Sequence, residues 1–139
     1  MLESLRFHHI GVAVIDLEAT ASVYERGGYK RSSFVFDPAQ DVNICWLTKP
    51  GSPTIELLAP ADANSPVNKT LEKNGVTPYH ICYVVDNMEE TISELKRQHY
   101  ILVSKPAKAI AFCGSRVCFL YNKNMGLIEL VEVPAQIIV

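Results

Sequence analysis

Two hydrophobic periods alternate along this chain. Strand-length runs rich in β-branched and apolar residues, such as His9–Val14, Val42–Thr48 and Thr54–Ala59, are separated by a stretch, Leu17–Arg26, of helical character. Asp16 stands where a helix N-cap belongs, and Gly27-Gly28 stops the helix. The pattern predicts strand His9–Val14, helix Leu17–Arg26, strand Tyr29–Phe36, a turn-rich loop over Asp37–Asp41, strand Val42–Thr48, a turn over Pro50–Pro53 and strand Thr54–Ala59. A connector over Pro60–Pro78 follows, with a short helix within Ser65–Asn74. The same series then recurs: strand Tyr79–Val85, a helix over Met88–His99 capped by Asp86 or Asn87, strand Tyr100–Ser104, a loop through Gly114, strand Arg116–Tyr121, a turn at Asn122–Gly126 and strand Leu127–Val133.

That recurrence is visible residue by residue. His9-Ile-Gly-Val-Ala-Val lies over His80-Ile-Cys-Tyr-Val-Val at an offset of 71 (80 − 9), and Glu18, Thr20, Ser22, Arg26 and Tyr29 meet Glu89, Thr91, Ser93, Arg97 and Tyr100 at that offset. Ile55-Glu-Leu-Leu lies over Ile128-Glu-Leu-Val at an offset of 73 (128 − 55), where Cys45 also meets Cys118 and Leu47 meets Leu120. A slip of two residues in the intervening loops reconciles the halves. The expected fold is α+β, two βαβββ modules in tandem within one domain over 1–139: module one at about 6–60, a connector at 61–77 and module two at about 78–133. Each module alone leaves a curved sheet with one face bare, so two such sheets facing each other, or paired with a second chain, are expected to enclose a ligand site.

Four polar residues interrupt the apolar runs. His9 and His80 open strands that are otherwise apolar; Glu56 and Glu129 sit inside Ile-Glu-Leu runs. A lone mid-strand Glu usually faces solvent, and a lone strand His is usually a hydrogen-bonded structural residue. Here both departures recur at equivalent positions. Two carboxylates on one sheet interior repel each other unless a cation lies between them. His9, Glu56, His80 and Glu129 form a mixed N/O set suited to one divalent ion: zinc, nickel, cobalt, iron or manganese. Strand alternation sends His8 to the face opposite His9, and the repeat aligns it with Tyr79, so His9 is the expected ligand. His99, at a helix end, reads as solvated. Cys82 follows His80 by two and shares its face, where packing is the simpler role.

Composition narrows the function. With 48% hydrophobic and 20% charged residues the chain is globular, and a formal charge of −2 offers no basic field for nucleic acid or an anionic membrane. No apolar run approaches the roughly 18 residues of a membrane span. Met1–Phe7 carries Glu3 and Arg6 and lacks the core of a signal peptide. Cys45, Cys82, Cys113 and Cys118 show no CxxC spacing, which fits reduced thiols in the cytoplasm.

The motifs His8-His-Ile-Gly-Val-Ala-Val, Ile55-Glu-Leu-Leu-Ala-Pro, Pro78-Tyr-His-Ile-Cys-Tyr and Gly126-Leu-Ile-Glu-Leu-Val resemble those of the vicinal oxygen chelate superfamily, also called glyoxalase/bleomycin-resistance proteins. The resemblance spans about residues 6–133. The connector Asn64-Ser-Pro-Val-Asn-Lys-Thr-Leu-Glu-Lys-Asn-Gly resembles that of methylmalonyl-CoA epimerases in particular. It implies a metal-dependent isomerase that moves the proton alpha to a thioester carbonyl, a small-molecule substrate such as an acyl-CoA, and a homodimer. In such families a metal-bound Glu can detach and act as base; Glu129 is the first candidate and Glu56 its symmetric partner. Lys69, Lys73 and Lys123 lie in segments where CoA phosphates could dock. Two departures stand out: Asn43 occupies the strand on which some epimerases carry a second acid/base carboxylate, and the segment Tyr121–Gly126 is short. The competing readings are a lactoylglutathione lyase (glyoxalase I), a non-catalytic protein that sequesters a small molecule, and a ring-cleaving dioxygenase. The complete two-His, two-Glu set counts against the last two.

Overall fold

Both caps form where the sequence places them. In the computed structural model, which describes residues 4–139, Asp16 accepts the Ala19 amide at 2.9 Å and starts helix α1, Leu17–Arg26. Asn87, not Asp86, caps helix α3, Met88–Arg97, by accepting the Glu90 amide at 2.9 Å. That helix ends two residues before His99, whose φ of 70° leaves the helical region. A shorter helix, α2, covers Val67–Asn74 in the connector. Residues 1–3 of the N-terminal stretch read above lie outside the described residues.

Around these helices the chain lays down β1 (Arg6–Ala13), β2 (Lys30–Arg31), β3 (Val35–Asp37), β4 (Val42–Thr48), β5 (Thr54–Pro60), β6 (Thr77–Val85), β7 (Ile101–Lys108), β8 (Arg116–Asn122) and β9 (Gly126–Glu132). They form one mixed sheet in the order β2-β4-β5-β1-β6-β9-β8-β7, with β3 also on β4. In each half the first strand pairs parallel with the last (β1 with β5, β6 with β9), and the last pairs antiparallel with the third (β5 with β4, β9 with β8). The tandem βαβββ reading therefore holds, with one amendment. The strand expected over Tyr29–Phe36 is two short pieces. At Ser32 the side-chain Oγ accepts the Trp46 amide at 2.9 Å, a bond the backbone ladder would otherwise make.

The halves join through β1 and β6, and their antiparallel register is its own image under the offset of 71. His9 pairs with Cys82 and Gly11 with His80; Phe7 pairs with Tyr83 and Val12 with Pro78; Ile10 pairs with Ile81 at the centre. The ladder slips twice, at His8 and at Tyr79 (8 + 71 = 79), each an extra residue bulged out of its strand. The core divides accordingly. Val12, Val14, Cys45, Leu47, Ile55 and Leu57 pack with α1. Val85, Cys118, Leu120, Ile128 and Leu130 pack with α3. Ala13, Ile44, Trp46, Leu58, Cys82, Phe112 and Val131 fill the concave face between the halves. Alternation then decides which polar residues turn inward. Glu56 lies between two residues that pack with α1, and Glu129 between two that pack with α3, so both point into the concave face.

Candidate metal centre

Two cross-strand rows build the site. Trp46, Glu56, Gly11 and His80 lie side by side across β4, β5, β1 and β6. Phe119, Glu129, Cys82 and His9 form the equivalent row across β8, β9, β6 and β1. Each row sets a small residue between its carboxylate and its histidine. In the first, the His80 ring occupies the space a side chain on Gly11 would need: a Cβ there would fall 2.0 Å from His80 Cε1 and 2.4 Å from both ring nitrogens. Gly11 is thus required by close approach, a role that sequence reading missed because a glycine in a strand carries no sign of what lies above it.

His9 Nε2 lies 3.1 Å from His80 Nε2, 3.2 Å from Glu56 Oε1 and 3.3 Å from Glu129 Oε1. His80 Nε2 lies 3.4 Å from Glu56 Oε1 and 3.3 Å from Glu129 Oε1. All four residues are buried, and their ligand atoms lie within 4.8 Å of one another. A divalent ion bonded at about 2.0–2.2 Å to four tetrahedral N/O ligands spaces them about 3.3–3.6 Å apart, close to the separations here. Glu56 Oε1 and Glu129 Oε1 are buried without a hydrogen-bond partner, facing ring nitrogens that carry no proton when they act as ligands. Orphaned acceptors around one point fit a cation.

Protons can stand in for that cation. Burial opposes charge on His9, but the Glu56 charge and the contacts with both carboxylates outweigh it and raise its pKa to about 9. His80 is raised for the same reasons. Burial pushes Glu129 up, yet the two histidines pull it down to about 2. These shifts give a sign. The His9 contribution to stability is complete below its ordinary value of 6.5 and is lost as pH rises through 9; the Glu129 contribution is complete above 4.5 and is lost as pH falls toward 2. The metal-free protein should therefore melt at progressively lower temperature from pH 6.5 to 9, and a saturating divalent ion should flatten that decline. Melting curves in chelator that stay level or rise over this range would contradict the coupling.

Several expectations need correction. His8 does not point away from His9. The bulge turns its ring inward, with its Nδ1 2.9 Å from His9 Nδ1 and its ring against Phe112 and Trp46. Asn43 is half-buried between Val42 and Ile44, which face the concave side, so it points to the other side of β4 and is no counterpart of a catalytic carboxylate. Lys69 and Lys73 lie on α2, and Lys123 in a turn; all are exposed, and none lines the cavity beside the cluster. That cavity, about 420 Å³, is bounded by Lys105, Lys108, Asp37, Gln40, Tyr79 and Phe119, with apolar residues between them. Tyr79 and Phe119 connect it to the cluster, their ring centroids 4.7 and 5.3 Å from that of His80 in edge contact. Burial, then the nearby carboxylates, raise the Tyr79 phenol well above its ordinary range, so it stays protonated. Both oxygens of Asp37 are engaged by the amides of Ala39 and Gln40 and by the Gln40 side chain. Cys82 also approaches His8 and His9, but burial and the two carboxylates hold its thiol neutral.

Comparison with known proteins gives a consistent picture. Residues 8–119 match the family described as Glyoxalase/Bleomycin resistance protein/Dioxygenase superfamily. The mitochondrial methylmalonyl-CoA epimerase of Mus musculus is 35% identical over 129 residues, covering 90% of this chain and 71% of that protein. An ethylmalonyl-CoA/methylmalonyl-CoA epimerase of Cereibacter sphaeroides is 33% identical over 134 residues, covering 92% and 98%. The crystal structure of methylmalonyl-CoA epimerase from Mycobacterium tuberculosis superposes with a TM-score of 0.82 at 30% identity, covering 91% and 87%.

Proposed function

Because the chain belongs to the glyoxalase/bleomycin resistance protein/dioxygenase superfamily and is similar to methylmalonyl-CoA epimerases over most of its length, we propose that it is a divalent-metal-dependent isomerase acting on the carbon alpha to the thioester carbonyl of methylmalonyl-CoA or a close relative. The observation that carries this reading is the buried cluster of His9, Glu56, His80 and Glu129 beside a cavity of about 420 Å³. A divalent ion held by these four residues would stabilise negative charge developing on the substrate carbonyl oxygen.

The remaining work falls to the chain. Glu129 takes the alpha proton. Held in the cluster it is ionised and a poor base; turned toward the cavity, away from the cluster, it keeps the burial that raises its pKa. Glu56, across the internal two-fold and ionised at rest, first takes a proton from water and then delivers it to the opposite side of the carbon, or the water delivers it directly. Asp37, with both oxygens engaged, does neither. Lys105 and Lys108 at the cavity rim supply positive charge for the substrate's carboxylate or phosphates, and the apolar wall keeps water from the carbanion.

Residues 1–139 form one domain of two modules in this reading, and the active protein is a symmetric dimer. The exposed strip of Phe7 and Ile81 on the outer face of β1 and β6 supports that association. Four free cysteines support a reducing, cytoplasmic setting. Among the described residues no helix is long and apolar enough to cross a membrane.

The decisive experiment incubates metal-loaded protein with methylmalonyl-CoA in heavy water. Deuterium should enter at the alpha carbon faster than in a metal-only control. No excess exchange, together with turnover of the glutathione–methylglyoxal hemithioacetal, would move the assignment to the lyase.

A further inference from the structure

The two ligand histidines are not equivalent. His80 Nδ1 is buried and has no hydrogen-bond partner. His9 Nδ1 faces His8 Nδ1 at 2.9 Å, and His8 Nε2 lies 3.2 Å from the Ala135 carbonyl oxygen. The C-terminal tail holds that carbonyl: Ala135 N donates to Ser115 Oγ at 3.1 Å, and Ile138 N to the Ala111 oxygen at 3.1 Å. The equivalent of His8 in the other half is Tyr79, whose ring touches His80 only by its edge.

The geometry points to His8 as the residue that orients His9 for metal, through a chain of hydrogen bonds ending on the tail. This rests on the metal reading given above. Counting protons leaves one arrangement. A carbonyl oxygen can only accept, so His8 Nε2 carries a proton and donates to Ala135. A neutral imidazole has one N–H, so His8 Nδ1 is bare and accepts. His9 Nδ1 must then donate, and in the neutral imidazole that a ligand histidine must be, this leaves His9 Nε2 with its lone pair directed at Glu56, His80 and Glu129. Both ends of the chain require the same assignment, and no donor is left over. Partners of this kind on the far nitrogen of a ligand histidine fix ring orientation and tautomer, and losing one costs about 10–100-fold in metal affinity. The bulge in β1 makes the contact possible, because a regular strand would send His8 to the other face.

The test uses the full chain and zinc alone, with affinity measured by chelator competition and folding by the melting temperature of the metal-free protein. His8→Phe keeps a ring against Trp46 and Phe112 but removes both hydrogen bonds; His8→Asn loses the ring but puts an amide oxygen near the Nδ1 position. Orientation by hydrogen bonding predicts zinc affinity about 10–100-fold weaker for His8→Phe and close to wild type for His8→Asn. Equal affinity in all three proteins, or a loss confined to His8→Asn, would overturn the proposal and leave His8 a packing residue. If His8→Phe does not fold, nitrogen NMR of the zinc-loaded wild type decides. A proton on His9 Nδ1 with none on His8 Nδ1 is expected, and the opposite placement overturns the proposal. A wild type that binds no stoichiometric zinc would overturn the metal reading itself, and this inference with it.

Discussion

Exchange of the substrate alpha proton should fall by about 10²–10⁴-fold in Glu129→Gln, the range by which a positioned general base accelerates such a step. The amide matches the carboxylate in size, so the packing of Ile128 and Leu130 against α3 is undisturbed. What disappears is the ability to accept a proton. Because Glu129 also faces His9 and His80 at 3.3 Å, the measurement belongs at saturating metal, with metal content determined on the same sample. A variant that holds its metal and exchanges at the wild-type rate would remove Glu129 from the role of base.

His80→Ala should abolish stoichiometric metal binding. The substitution removes one of four ligands and opens a void above Gly11, where no side chain exists to fill it. It also leaves two buried carboxylates facing a single histidine. Breaking a buried charge pair from one side costs about 3–5 kcal/mol, so the metal-free variant should melt at a lower temperature as well as bind less. Elemental analysis that finds equal metal in wild type and His80→Ala would overturn the assignment of the metal to this cluster.

The four cluster residues were legible in the sequence because duplication printed each departure from the apolar pattern twice. In the fold, strand alternation turns Glu56 and Glu129 inward, since their neighbours pack with α1 and α3. The same rule failed at His8, where the bulge adds a residue and reverses the face, and a bulge leaves no periodic trace. The Ser32 interruption escaped notice because its cause, a hydroxyl replacing a backbone acceptor for Trp46, is a long-range contact. For the cavity, Lys105 and Lys108 could not be told from any other exposed lysine until β7 was placed. The tail after Glu132 carries no pattern of its own, and its importance lies wholly in what it touches.

The self-mapping register of β1 and β6 bears on how such a chain could arise. Because the pairs His9–Cys82 and Gly11–His80 exchange under the internal two-fold, a separate chain of half this length would need only to associate with an identical copy to rebuild that ladder. One histidine and one glutamate from each copy would complete the cluster. In that ancestor every residue had to serve both sides of the axis at once. Fusion into a single gene lifts the constraint, and the two halves of this protein have used the freedom differently. A histidine at position 8 braces one ligand, while its counterpart at 79 is a tyrosine open to the cavity; glycine at 11 makes room for a ring, where its counterpart at 82 is a cysteine. Descent from a symmetric ancestor would account for the shared ligands, and separate inheritance of the two copies for the division of labour around them.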